Sequence, residues 1–169
     1  EIEHGLLHRL DTGTEGLVLV AKTQTTFDFL DEAQKASKII KSYRALCSRS
    51  NTPLIDPSTV FPFTIQSRFR SRGPGGREVK ALFMGDRGYD EAKYDYRTTI
   101  VSIKRIQIDE RTIYAVACRL DRGARHQVRS QRSHAGYPIL GDRLYNDDCV
   151  QVPLQLRANG IDFPDPDSN

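Results

Sequence analysis

The stretch EAKYDYRTTIVSIKRIQIDERTIYAVACRL, Glu91–Leu120, decides the class of fold. Glu91–Ile108 and Thr112–Leu120 are rich in β-branched and aromatic residues and are joined across Asp109-Glu110-Arg111, so they read as a long antiparallel hairpin. Helices are expected on either side of it. Upstream, Thr25 with Asp28 resembles a capping box, and Phe29, Leu30, Ala33, Ala36 and Ile40 recur at helical spacing, which predicts a helix over roughly 26–37. Downstream, Arg122–Ala135 reads as a helix that stops at Gly136, with Pro138 just beyond. A central hairpin among helices and shorter strands implies an α+β fold: a mixed, largely antiparallel central sheet flanked by helices.

The remaining segments fill in that plan. Leu6–Leu7 and the run Leu17–Ala21 read as strands around a turn at Asp11, the second run apolar throughout and so expected to be covered on both faces. Ile39–Cys47 reads as a strand with Tyr43 at its middle, and residues 50–62 as a proline-rich loop. In Gln66–Lys80, Arg68, Arg70, Arg72 and Arg77 surround a Gly-Pro-Gly-Gly break, which is either a mobile basic loop that touches phosphates or a solvated hairpin tip. Residues 162–169 are polar and proline-rich and are expected to fray. At 169 residues without an internal repeat, one domain is the simplest organisation.

Composition excludes several classes. A net charge of +3 leans only weakly toward an acidic partner. Cys47, Cys118 and Cys149 are widely spaced and make no CxxC or Cys/His pattern, so neither a zinc site nor a disulfide framework is expected. His4 and His8 lie four apart, but Gly5 argues against the helix that would let them chelate, and no metal is expected. No apolar run reaches the ~20 residues of a membrane-spanning helix.

Chemistry concentrates in two places. HRLDTGTEG, His8–Gly16, sets Arg9 two residues from Asp11 at the mouth of a turn. The second place carries arginines at 119, 122, 125, 129 and 132, the last three on one helical face. A solvated basic stripe is the common explanation of such spacing. Here, however, Val128 is the only sizeable aliphatic residue between Ala124 and Ala135. A helix with so little apolar face must be held by polar contacts, so some of Arg125, His126, Gln127 and Arg129 should point inward. A buried Arg requires a carboxylate. Asp11 is a natural partner, with Asp121 and Asp142 competing, and such a pair would keep Asp11 ionised as a nucleophile or base requires.

Together these stretches resemble the RluA-type pseudouridine synthases, which isomerise uridine in ribosomal or transfer RNA. The family pattern H-R-L-D-x-x-T-S-G-L is similar to His8-Arg9-Leu10-Asp11-Thr12-Gly13-Thr14-Glu15-Gly16-Leu17, K-x-Y-x-A to Lys41-Ser42-Tyr43-Arg44-Ala45, and G-R-x-H-Q-I-R to Gly123-Ala124-Arg125-His126-Gln127-Val128-Arg129. Gly136-Tyr137-Pro138-Ile139-Leu140-Gly141-Asp142, running on to Tyr145, resembles the family's G-x-P-I-x-G-D-x-x-Y.

The resemblance implies a single catalytic domain over residues 1–169, with Asp11 as the essential aspartate, Tyr43 as the aromatic that stacks on the flipped uracil and Arg129 as the basic residue, a cation, paired with Asp11. It implies that Arg9 helps displace the target nucleotide. Arg122, Arg125, His126, Gln127 and Arg132, with Arg68, Arg70 and Arg72, are expected to hold RNA. No cofactor is implied, and an intracellular, monomeric enzyme is expected. Four departures stand out. Glu15 replaces a Ser near Asp11, and Ala124 replaces an Arg. Ser130-Gln131 interrupts an apolar continuation. The strand that normally precedes the first motif is missing, so a truncated N-terminus and an exposed sheet edge are expected. A non-catalytic RNA-binding relative is the alternative expectation.

Overall fold

The computed structural model describes residues 5–55, 60–147 and 151–166; His4, Cys149 and residues 167–169 of the expected tail lie outside them. In chain order the elements are β1 (Glu15–Gly16), α1 (Gln24–Lys35), β2 (Ile40–Cys47), β3 (Phe63–Arg72), β4 (Glu78–Leu82), β5 (Tyr96–Ile108), β6 (Arg111–Leu120), α2 (Gln127–His134) and β7 (Leu156–Asp162). The seven strands form one sheet in the order β1-β7-β2-β6-β5-β3-β4. Only β1 and β7 run parallel, so the sheet is mixed and largely antiparallel.

The predicted hairpin is the β5–β6 pair, closed at Asp109, whose φ of 51° lies in the left-handed region. It begins at Tyr96 rather than Glu91, because Asp95 leaves the strand to bind Arg68. Residues 66–80 are not a mobile loop. They are the β3–β4 hairpin, with a single 3₁₀ turn at Pro74–Gly76 as its tip. The helix expected over 26–37 runs instead from Gln24, because its cap is Thr23 and not Thr25: the Thr23 hydroxyl accepts the Thr26 amide at 3.2 Å.

Period-two alternation gives the sheet one apolar face. Ala45, Ile65, Ile100, Val116 and Cys118 point the same way and are covered by Val128 of α2 and by Ala135, Tyr137 and Ile139 just after it. Leu30 and Ala33 of α1 close a second cluster with Leu7, Ala21 and Ile39. Lys41, on the same face of β2 as Ala45, reaches α1 through Gln34 at 3.0 Å. Both helices thus lie on one face of the sheet. The opposite face stays open, with Arg44, Arg119 and Arg157 exposed.

The run Leu17–Ala21 is not a strand covered on both faces. β1 is only two residues long, and Leu17 and Val20 are 52% and 50% exposed. Its neighbours pair with residues 5–8 instead, through Leu7 N to Leu19 O at 3.2 Å and Ala21 N to Gly5 O at 2.9 Å.

Candidate active site

Asp11 sits in a turn closed by the Thr14 amide donating to its carbonyl at 2.9 Å. Both arms of the turn are tied down. On one side His8 Nε2 accepts the Leu19 amide at 3.2 Å. Burial, helped by the charge of Lys41, lowers the His8 pKa to about 4, so this ring is a neutral acceptor near pH 7. On the other side Gly16 lies against Ala158 of β7, and Leu17 N donates to Ala158 O at 3.0 Å. Ala158 is also the register partner of Tyr43. One residue of β7 therefore spaces the aspartate turn from the tyrosine strand.

Across the turn stands Arg129, buried in the first turn of α2, with Nη1 3.9 Å from Asp11 Oδ2. Its close partner is a different carboxylate. Nε and Nη2 make a bidentate pair with Asp142 at 2.7 Å each, and Asp142 is fully buried. Burial lowers the Arg129 pKa, but the hydrogen bonds and charge of Asp142, with Asp11 behind them, outweigh it and leave it above the usual arginine value. The competition among carboxylates thus resolves unequally: Asp142 fixes the guanidinium, and one edge of it faces Asp11. Asp142 is itself held by the Leu144 amide at 3.0 Å.

Tyr145 completes this wall. The Val79 amide donates to its hydroxyl at 2.8 Å, and the hydroxyl donates to Val79 O at 2.9 Å. Its one proton is then used, so His126 Nδ1, 3.0 Å away, must be the donor. Burial lowers the His126 pKa despite the opposing charge of Asp11, so the ring is neutral and its Nε2 carries the lone pair. Tyr43, half-buried, has its phenol pushed up to about 12 by burial, then by Cys118 and Asp11. It is a neutral aromatic surface near pH 7, not a base.

The polar anchoring of α2 is visible in full. Gln127 donates to Arg97 O and Thr98 Oγ1 at 3.0 Å, Gln131 to Ser67 Oγ at 2.9 Å, and Ser130 Oγ accepts the Ala81 amide at 3.1 Å. Several residues expected to hold RNA are consumed by such contacts. Gln127 is buried. Arg132 is 0% exposed among Cys47, Cys118 and Tyr137; its guanidinium has no hydrogen-bond partner among the described residues and cannot reach a phosphate. Arg68 pairs with Asp95 at 2.8 Å and stacks on Tyr89. Arg125 clasps the β3–β4 tip through Gly76 O and Glu78 O. Arg9, Arg70, Arg72 and Arg122 remain exposed, Arg122 over the Tyr94 ring. The helix itself starts at Gln127 and not Arg122, because His126 takes a left-handed φ of 54°.

Glu15 does not crowd Asp11. Its register partner is Arg157, and it lines the opposite face of the sheet beside Arg44. Tyr145 went unassigned to any role in the sequence; its spacing after Asp142 was the available signal.

Residues 1–134 match the family described as RNA pseudouridylate synthase. The chain belongs to that family. Among pseudouridylate synthases it is similar to the "Ribosomal large subunit pseudouridine synthase D" of Xylella fastidiosa, 31% identical over 158 residues that cover 94% of this chain and 40% of the relative. It is also similar to an "Uncharacterized RNA pseudouridine synthase" of Helicobacter pylori, 30% identical over 167 residues, 92% of this chain and 57% of that one. The chain therefore spans about 40–57% of the length of these relatives. The fold matches that of "Human RNA Pseudouridylate Synthase Domain Containing 1" with a TM-score of 0.70 at 22% identity, covering 90% of this chain and 61% of that one.

Proposed function

We propose that this chain is the catalytic domain of an RNA pseudouridine synthase acting on ribosomal RNA. Asp11 is its essential carboxylate, Tyr43 the surface for the displaced uracil and Arg129 the cation that positions Asp11. The carrying observation is the 3.9 Å approach of Asp11 to an Arg129 that Asp142 has already immobilised, in a chain of this family. Several relatives are named for the large ribosomal subunit, which favours ribosomal over transfer RNA. A monomer working inside the cell is part of the same proposal.

The reaction breaks the N1–C1′ bond of uridine, turns the base and joins C5 to C1′. C5 loses a proton and N1 gains one. C1′ and C5 are inaccessible in a stacked helix, so the nucleotide must leave the stack first. Arg9 is the side chain assigned to the gap, and its exposure two residues from Asp11 supports this reading. A held carboxylate beside a fixed cation and a neutral aromatic wall suits attack on, or proton removal from, the ribose or base.

The test incubates the protein with total cellular RNA and maps pseudouridine by carbodiimide modification, beside Asp11→Asn. New adducts are expected with the parent protein only. Equal adducts from both proteins, or none from either, would overturn the proposal.

A further inference from the structure

The sheet face turned away from Asp11 carries charge that the active site does not use. Arg44 on β2 lies directly opposite Arg157 on β7 and, on its other side, opposite Ala117 on β6. Lys104 on β5 lies opposite Ala115 of β6. These residues line a shallow groove of about 600 Å³ whose floor is kept low by Ser102, Ala115 and Ala117, and whose one acid among the described residues is Glu15. Arg119, two residues along β6 from Ala117, extends the cationic row, and all four cations are exposed.

Like charges directly opposed across a strand pair destabilise a sheet, and Arg44 against Arg157 is such a pair. Hydrophobic cover would bury these cations with Glu15 as the one carboxylate among them, which is costly. A bound polyanion removes both difficulties. We propose that this face is a second RNA-binding surface that holds the phosphodiester backbone of the substrate without reading its sequence. The choice of RNA as the polyanion rests on the proposed function.

Three features favour a nucleic-acid backbone. From Arg157 to Lys104 the cations cross three strand spacings, roughly 14 Å at about 4.8 Å each, which is the scale of a few consecutive phosphates. Among the described residues no aromatic side chain lines the groove, which favours contact with phosphate and sugar over base stacking. The route is also continuous. Asp11 and Glu15 are four residues apart, and β1 between the two faces is a two-residue edge strand. RNA leaving the cleft at Asp11 and rounding this edge passes Glu15 and meets Arg157 as the first of these cations.

The experiment uses the full chain and a fluorescent single-stranded oligouridylate, with binding followed over a salt titration. The Arg44→Gln/Arg157→Gln protein is expected to bind more weakly, on the order of tenfold near 100 mM salt. Its slope of log affinity against log salt should be shallower by about 1.4, at ~0.7 per lost phosphate contact. Independently, acetylation of Lys104 in the parent protein, read by mass spectrometry, should be suppressed by the oligonucleotide. Unchanged affinity and slope in the double variant, or unchanged Lys104 labelling, overturns the proposal. So does protection of Lys104 by polyglutamate but not by RNA, which assigns the face to an acidic protein. Failure here with pseudouridine still formed leaves the proposed function standing. Altered binding in the variant with no pseudouridine formed by the parent has the opposite meaning.

Discussion

Two buried arginines three residues apart on α2 have opposite circumstances, and their energetics should differ in sign. Arg129 is saturated by Asp142, and removing that partner leaves a guanidinium in a buried site with only a 3.9 Å neighbour. Asp142→Asn is therefore expected to cost about 3 kcal/mol, the scale for breaking a buried ion pair. Urea denaturation measures this; a cost under about 1 kcal/mol would mean that Asp142 does not seal the pair. Pseudouridine formation should fall as well, since Arg129 would then be free to swing. Arg132 is the reverse case. Its guanidinium is fully buried beside two thiols and Tyr137 with no hydrogen-bond partner among the described residues, and burial lowers its pKa. An unpaired buried charge is a standing cost. Arg132→Met keeps the volume and removes the charge, so it should stabilise by about 2 kcal/mol, or roughly 4–8 °C in melting temperature. An unchanged or lower melting temperature in a scanning calorimeter would show that the site has adapted around the cation.

Among the elements, β1 is the shortest and the most consequential, because its pairing with β7 joins the chain after the Asp11 turn to the sheet. Gly16 has φ of +126°, and a Cβ there would sit 2.0 Å from Ala158 O, a backbone atom that cannot give way. Gly16→Ala should detach β1 at a cost of at least 2 kcal/mol. Amide exchange at Leu17, whose N–H is bonded to Ala158 O, should speed up at least tenfold, and pseudouridine formation should drop with it. Unaltered exchange at Leu17 would show that the pairing survives. Elements of this kind were only partly legible. The β5–β6 hairpin was readable because its β-rich run is long, and α1 because its apolar residues keep the helical period. The apolar run after Gly16 misled, since hydrophobicity alone does not say whether a neighbouring layer exists to cover it. β7 went unread because Asn159-Gly160 looks like a turn, although Leu156 and Ala158 alternate inward with Arg157 outward. α2 was recognised as polar and inward-facing, but its first turn was lost to the left-handed His126, and composition could not choose between Asp11 and Asp142 as Arg129's partner.

Taken whole, the molecule is a single sheet with both helices on one face, and the histidines of that side are tuned together. His8 has its pKa lowered to about 4, and burial lowers His126 and His134 as well. His134 stacks on Phe83 with ring centroids 3.6 Å apart. In the unfolded chain each titrates near 6.5. Between that value and its lower folded value each imidazole binds more protons when unfolded, so stability is full above about pH 6.5 and declines as pH falls toward 4. For His8 the gap of about 2.5 units sets an upper limit near 3 kcal/mol, at 1.36 kcal/mol per unit, reduced by its partial exposure. Urea midpoints measured at pH 7.5 and pH 5 should therefore differ clearly, with the lower value in acid. His8→Gln isolates one contributor, because the amide oxygen can still accept the Leu19 N–H but has no proton to gain. The variant should lose less stability than the parent over the same interval. Identical losses in the two proteins would place the acid sensitivity in carboxylates or in the other two rings. His8 would then be a clasp without a titrating role.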